Sequence, residues 1–423
     1  MRKVLVITYY WAPAGGPGVQ RWLKFVKYLR DFDIEPVLYI PENPHYPLTD
    51  ESFLKDIPKD LTIYKQPILE PYRLATFFSS KKTKRISSGI ILTKNQSFIE
   101  KALLWIRGNL FIPDARKFWV KPSVSFLKDV LAKENIKTII TTGPPHSVHL
   151  IGYYLKKEKQ LNWIADFRDP WTTIGYHKKL KLTSKSAQKH KKLESDVLNS
   201  ADKIIVTSST TKLEFEQITN RPIQVITNGY DGEVVLNSKL DSKFTISHIG
   251  SLLSGRNPNN LWKVLADLVN ENSEFKKALC LQFIGVVSND VLQAIKDAGL
   301  IEQTEVLGYV SHEEALSYQK SSQILLLVEI DSEDTKGIIP GKVFEYMAAN
   351  RPIIGIGPQN WEVGEIVNKT KTGCIFNHLD DIELKNVLLN WFEQYQNGKL
   401  TISSNSIEQF SRRELTRKLA KHI

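Results

Sequence analysis

Short apolar runs recur along this chain, separated by helix-sized segments, and this alternation restricts the fold more than any other feature of the sequence. "KVLVITYY" (3–10) leads into "VQRWLKFVKYLRDF" (19–32), where Val19, Trp22, Leu23, Val26 and Leu29 fall at helical spacing. "EPVLYI" (35–40) is the next strand. Strand, helix and strand in that order predict a βαβ unit in a parallel sheet covered on both faces. "IKTIITTG" (136–143), "LNWIADF" (161–167), "DKIIVTSS" (202–209) and "IQVITNG" (223–229) extend the series. A second series follows the polar, turn-rich "NGYDGEVVLNSKLDSK" (228–243): "FTISHIGS" (244–251), "LCLQFIG" (279–285), "TEVLGYV" (304–310), "QILLLVEI" (323–330) and "RPIIGIG" (351–357). The chain has 423 residues, too many for one core. The expected fold is α/β, with two doubly wound, Rossmann-like domains at 1–232 and 240–399. A C-terminal helix within 400–423 is expected to pack back on the first. Sheets of this kind bind ligands beyond the carboxyl ends of their strands, so the central cleft that the two domains face is where a site is expected.

The net charge of +11 leaves nucleic acid, an anionic membrane face or phosphorylated substrates as partners. Basic residues concentrate in "SSKKTKR" (79–85) and "HKKLKLTSKSAQKHKK" (177–192). No nucleic-acid-binding signature accompanies them, so no nucleic-acid partner is expected. Two cysteines, Cys280 and Cys374, fit a reducing compartment. The start "MRKVLVITYYW" reads as a strand without a cleavage site, and no apolar run is long enough to span a bilayer. Residues 70–122 interrupt the alternation. Their "KALLWIRGNLFIPDARKFWVKPS" (101–123) reads most simply as a helix packed on the first domain. The functional alternative is an interfacial surface, anchored by Trp105, Phe111 and Trp119, that meets lipid or a lipid-linked acceptor.

Several strand ends carry residues suited to an anion. Gly15, Gly16 and Gly18 lie between the first strand and first helix, where glycine lets backbone N–H groups approach a ligand. The pattern is not the dinucleotide fingerprint, and no acidic residue closes the second strand. Gly250 ends a strand in "HIGSLLSGRNPNNLW" (248–262), and Arg256 before the next helix can fork onto a phosphate. In "KGIIPGKVFEYMAANRPIIGIG" (336–357), Lys342 and Glu345 share a helical face turned off the core. The loop of Gly337, Ile338, Ile339, Pro340 and Gly341 is expected to free N–H donors for a diphosphate, with Glu345 one turn deeper for the hydroxyls of a ribose. "TTGPPHSVHLIG" (141–152) puts His146 and His149 at a strand end, and "ADFRDPW" (165–171) does the same for Asp166, Arg168 and Asp169. A structural ion-pair cluster and a ligand site are both open for these last three, the ligand site being preferred because loops after parallel strands are where ligands sit. "DFD" (31–33) lies at the wrong edge of the sheet for metal binding, and no metal site is assigned.

With these motifs together — "GGPG", "NGYD", "IGSL…R", "LGYVSHEEALSYQKSSQILLL" and "GKVFEYMAANRPIIGIG" — the chain resembles the family 4 glycosyltransferases of bacterial polysaccharide and cell-envelope synthesis. The resemblance covers essentially the whole chain and implies the GT-B fold. It implies metal-independent, cofactor-free transfer of a sugar, with retained configuration, from a nucleotide-diphosphate sugar to a glycan or lipid-linked acceptor. It also implies attack from the leaving-group face, with the departing phosphate taking the acceptor's proton. Glu345 matches the second of the family's two paired glutamates, the ribose ligand. The first would fall at Gly337, and the backbone of Gly337–Ile339 is left to take its place. The arginine usual after the strand glycine is Ser251 here, which leaves Arg256 as the basic phosphate ligand. His146 and Asp166 would orient sugar and acceptor. The expected location is cytoplasmic and peripheral to the inner membrane face. Two rivals remain: a nucleotide-sugar epimerase or hydrolase of the same fold, and a catalytically impaired scaffold subunit, for which Gly337 is the best support.

Overall fold

The computed structural model of the protein describes residues 1–70, 98–232 and 239–423. The basic run at 79–85 therefore lies outside the described residues. The chain forms two compact units, Met1–Asn228 with Arg412–Ile423, and Gly229–Ser411.

Unit 1 is built on seven strands: β1 (Arg2–Thr8), β2 (Ile34–Pro41), β3 (Thr62–Gln66), β4 (Thr138–Gly143), β5 (Asn162–Phe167), β6 (Lys203–Val206) and β7 (Ile223–Val225). Their order is β3-β2-β1-β4-β5-β6-β7, and every neighbouring pair is parallel. Unit 2 has β8 (Phe244–Ile249), β9 (Leu279–Ile284), β10 (Thr304–Gly308), β11 (Ile324–Val328), β12 (Ile353–Gly357) and β13 (Gly373–Asn377), in the order β10-β9-β8-β11-β12-β13, again all parallel. Strand order reverses between β1 and β4 in one sheet and between β8 and β11 in the other. In an open parallel sheet that reversal leaves a crevice at the carboxyl edge, because the flanking helices lie on opposite faces.

The continuous apolar runs follow from burial on both faces. Along β1, Leu5 and Ile7 enter one core cluster while Val4 and Val6 enter another. Along β11, Ile324, Leu326 and Val328 face one side and Leu325 and Leu327 the other. That is the two-residue side-chain period of a strand covered twice. β3 and β13 were not foreseen. Both are edge strands with mostly half-exposed residues, so neither carries an apolar run.

In unit 1 the helix Pro17–Leu29 starts after Gly16, whose φ of 109° suits glycine, and buries Val19, Trp22, Leu23, Val26 and Leu29. The helix Arg412–Ala420 adds Leu415 and Leu419 to the same core. The segment before it stays with unit 2, where Leu400, Ile407 and Phe410 are buried.

The interrupting region contributes two helices to unit 1, Phe98–Leu110 and Lys117–Lys133. The first is seated by Leu104 and by Gly108, where a Cβ would come within 2.8 Å of the Leu180 carbonyl oxygen. Trp119, an anchor in the interfacial alternative, is buried and stacked on Tyr39 at 5.0 Å, as the packed-helix reading has it. Trp105, Ile106, Leu110 and Phe118 are exposed. The two faces of one amphipathic stretch therefore divide between core and surface.

Candidate functional site

Unit 2 gathers a polar group at the carboxyl ends of β8 and β11. Glu329 follows β11 directly and is buried. Its carboxylate accepts from both Nε and Nη2 of Arg256, at 3.0 and 3.2 Å, and from the N–H of Ile330. The paired geometry matches the planar guanidinium fork to the carboxylate. Arg256 is thus the partner of Glu329 rather than a free cation.

Lys342 begins the seven-residue helix Lys342–Ala348. Its Nζ lies 3.4 Å from Nε2 of His248, a buried histidine on β8. Gly250 bounds the same space: its φ is 112°, and a Cβ there would stand 2.8 Å from Lys342 Nζ. Burial, with Arg256 nearby, lowers the Lys342 ammonium to about 8. Burial, with Lys342 nearby, holds His248 well below the ordinary histidine range, so its imidazole is neutral.

Glu345 lies on the same helix and accepts from Nε2 of Gln319 at 3.1 Å. Tyr346 ties the helix to β8, its hydroxyl accepting from the Ile249 N–H at 3.0 Å. Ahead of the helix, Trp361 Nε1 donates to Ile338 O at 2.7 Å, and the Ile338 N–H donates to Thr335 O. The N–H groups of Val343 and Phe344, expected to be free for an anion, donate to Pro340 O and Gly341 O. The first turn closes tightly on itself and leaves less than a full set of helix-end donors.

In unit 1 the expected cluster separates into interior and edge. Asp166 is fully buried. It accepts from Arg21 Nη2 at 2.9 Å, Trp22 Nε1 at 2.7 Å and Thr142 Oγ1 at 2.9 Å. Burial works against the charge, but the Arg21 guanidinium and the three donors keep the carboxyl below the usual aspartate range. Asp166 is therefore a core ion pair, which corrects its expected role toward sugar and acceptor. Arg168 is likewise anchored, donating to Gly143 O and Pro144 O. It packs beneath Gly18, where a Cβ would fall 1.4 Å from its Nη1. Gly18 is a glycine to make room for Arg168. Gly15, expected to offer its N–H to an anion, donates it to Leu48 O at 2.9 Å.

Two residues keep the character of a site. Asp169 is half-buried, and burial raises its carboxyl. His146 is buried, and neither ring nitrogen has a partner among the described residues. Its ring stacks on Trp171 at 4.8 Å. His149 sits deeper, with Nδ1 2.9 Å from Thr141 Oγ1, and its Nε2 would lie 2.6 Å from a Cβ at Gly143. His177 and His190 pack edge to face at 4.6 Å, and Trp171 Nε1 reaches His190 Nδ1 at 3.2 Å. Among the described residues, no three His, Cys, Asp or Glu side chains gather as metal ligands.

Sequence reading missed Glu329 and His248. The signal for Glu329 was a single carboxylate closing the apolar run "ILLLV". The signal for His248 was one polar ring inside a buried strand, two residues before Gly250.

The buried histidines of unit 1 make its stability depend on pH. Burial lowers His149 to about 3 and His177 to about 4, and lowers His146 and His190 as well. In the unfolded chain they protonate near pH 6.5. Below that pH the unfolded state binds protons that the folded state does not, so stability is full above about pH 6.5 and falls toward the folded-state values. Each such histidine contributes up to about 1.4 kcal/mol per pH unit across that window. Urea unfolding is expected to vary little between pH 7 and 8 and to weaken steeply from pH 6.5 to 5. A flat profile there would show that these rings already protonate in the fold.

No protein-family model matches the chain, and no curated protein matches it in sequence. Solved structures do match. A glycosyltransferase from Rickettsia africae ESF-5 aligns over 99% of this chain and 97% of its own, with a TM-score of 0.63 at 14% identity. Anabaena Alr3699/HepE, solved with UDP, aligns over 100% and 99%, with a TM-score of 0.59 at 14% identity. A Listeria monocytogenes protein named as a UDP-N-acetylglucosamine 2-epimerase aligns over 99% and 94%, with a TM-score of 0.52 at 11% identity. At these identities the likeness is one of architecture, and with the two parallel sheets it gives the chain the two-domain, Rossmann-like GT-B fold.

Proposed function

We propose that the protein is a glycosyltransferase. It moves a sugar from a nucleotide-diphosphate sugar to an acceptor hydroxyl, with retention and without a metal, in cell-envelope glycan or polysaccharide synthesis. One observation carries this reading: Lys342, Arg256 and Glu345 converge where strand order reverses between β8 and β11, the position at which an open parallel sheet takes its ligand. Lys342 and Arg256 face the diphosphate, and Glu345, oriented by Gln319, accepts from the ribose hydroxyls. The bond from the anomeric carbon to the diphosphate breaks, and the acceptor oxygen bonds to that carbon from the same face. The acceptor's proton passes to the departing phosphate oxygen, while the two cations offset the charge that develops there. His146, whose buried ring nitrogens have no partner among the described residues, and Asp169 are proposed to take the sugar and the acceptor. Asp166 and Arg168 hold the loops that carry them.

A second reading has an observation of its own. The carboxylate that the resembled family places near the donor sugar is absent at Gly337, and the fold also occurs in the Listeria protein named as an epimerase. An epimerase or hydrolase would turn over a nucleotide sugar with no acceptor present, whereas a transferase needs one.

The acceptor is proposed to be lipid-linked and met at an anionic membrane face on the cytoplasmic side. Trp105, Ile106, Leu110 and Phe118 are exposed near Lys117, whose Nζ lies 5.2 Å from the Phe118 ring, and near Lys181, whose carbonyl accepts from Asn109. Aromatic rings beside lysines suit the headgroup boundary, where each basic residue adds about 1 kcal/mol. Among the described residues no helix is long and apolar enough to cross a membrane.

Three outcomes are expected. Calorimetry with UDP and other nucleoside diphosphates should find one that binds. Glu345→Ala should then weaken its binding by about 1.5–3 kcal/mol, the worth of a hydrogen bond to a charged group; unchanged affinity would remove Glu345 from the site. Transfer should continue in excess chelator, and a loss restored by Mg²⁺ would mean that the diphosphate is held through a metal. Vesicles rich in anionic lipid should pellet the protein at low salt and release it at high salt. A W105A/F118A variant should bind them less without loss of fold, because both rings are already exposed, and no pelleting at low salt would end the membrane reading.

A further inference from the structure

Lys342 is the least balanced charge in unit 2's polar group. Arg256 is engaged by both oxygens of Glu329. Lys342 has no carboxylate oxygen within 4.0 Å among the described residues, and its one polar contact is Nε2 of His248. The other nitrogen of that ring, Nδ1, lies 3.0 Å from the Leu326 carbonyl oxygen. A carbonyl only accepts, so with the Leu326 bond made Nδ1 carries the proton of the neutral ring, and Nε2 keeps its lone pair toward Lys342, with the Ser251 backbone also against the ring. His248 is 1% exposed, and its strand is paired on both sides, with β9 and β11. The charged groups around Lys342 come from every neighbouring element: His248 on β8, Arg256 from the loop after it, Glu329 at the end of β11, and Glu345 on Lys342's own helix. His378, beyond β13, reaches the Glu329 carbonyl and not Lys342.

We propose that His248 is a positioning residue for Lys342. Its lone pair holds the lysine nitrogen against Gly250 in either protonation state, ready for the anionic group of the donor, and arrival of that anion draws a proton onto the lysine. The inference rests on the donor-site reading above and specifies how its free cation works. An ammonium beside a neutral ring is oriented without being ion-paired, so the incoming diphosphate supplies the first counter-charge in direct contact with it. The proton is taken from solvent and ends on Nζ; no covalent bond to the ligand forms or breaks. At pH 8.5 an amine with a pKa of about 8 is about three-quarters deprotonated, so binding there should take up close to that fraction of a proton if the bound lysine is fully charged. At pH 6.5 the lysine is already charged and uptake should be near zero.

The test is calorimetric titration of the whole protein with UDP and, independently of any nucleobase, with inorganic pyrophosphate. Each is run at pH 6.5 and 8.5 in buffers of different ionisation heat, correcting for the probe's own protonation. Wild-type protein is expected to take up protons at pH 8.5, and K342M to lose that uptake. Two substitutions then separate positioning from packing. The short amide of H248N can keep the bond to Leu326 O but cannot reach Lys342, whereas the longer amide of H248Q can reach it. H248N should therefore bind both probes about tenfold more weakly and H248Q close to wild type. A purely structural histidine would give the reverse order. Uptake that persists in K342M, or H248N binding as tightly as wild type, overturns the inference and leaves the donor reading standing. Should both His248 variants fail to fold, the comparison of wild type with K342M decides. Wild-type protein that binds neither probe at either pH overturns the donor reading and the inference with it.

Discussion

Unit 1 is organised around a fully buried ion pair. Arg21 and Asp166 meet at 2.9 Å with no exposure on either side chain. Trp22 and Thr142 donate to the same carboxylate, and Arg21 also donates to Thr227 O at 2.7 Å. The first helix, β4, β5 and the chain leaving β7 are thereby tied at one point. A pair at this depth gives little net stability, since desolvation offsets the attraction, but removing one partner leaves an uncompensated charge worth about 3–5 kcal/mol. Its structural effect is to fix register. With the helix started at Pro17, Arg21 reaches Asp166 and Gly18 lies over Arg168 at the carboxyl edge.

Unit 2 uses the same chemistry with a different outcome. Arg256 and Glu329 also pair an arginine with a buried carboxylate at a strand end, but this arginine's side chain remains 33% exposed. A partly open fork can shift to an incoming anion, whereas a closed one cannot. The contrast separates Asp166 and Glu329, although both are carboxylates at the ends of parallel strands. One is saturated from within; the other holds a cation at the edge where a ligand would arrive.

The architecture was legible because both sheets bury both faces, and that requirement writes itself into continuous apolar runs. It faded at the sheet edges: β3 and β13 are half-exposed and leave no such run. At the site, Lys342, Glu345, Arg256 and Gly250 were legible from their places after strands. Three further facts were not. Sequence places Asp166 and Asp169 together after one strand, but only packing reveals that Asp166 points into the core while Asp169 does not. Trp119 and Trp105 sit in one amphipathic stretch, and only the helical phase sends the first to Tyr39 and the second to the surface. His248 is one of three polar residues in a buried strand, and the role proposed for it appears only when a lysine nearly a hundred residues later is brought to its ring.

The balance of charge at unit 2's edge bears on how a transferase of this kind would turn over. Arg256 and Lys342 are opposed by Glu329 and Glu345, so the group is close to neutral before a ligand arrives. A cluster of unopposed cations would hold a diphosphate tightly both before and after the sugar leaves it, and binding shared equally by ground state and transition state does not accelerate the chemical step. Under the proposed reaction the opposed arrangement would differ, because charge grows on the departing phosphate as the bond to the sugar breaks. A guanidinium that shares itself with Glu329 can move toward that growing charge, and an ammonium held by a neutral ring is already facing it. In the proposed transfer their attraction would be strongest when the bond is breaking and would decline once the phosphate takes up the acceptor's proton, which is the order that release of the spent nucleotide requires.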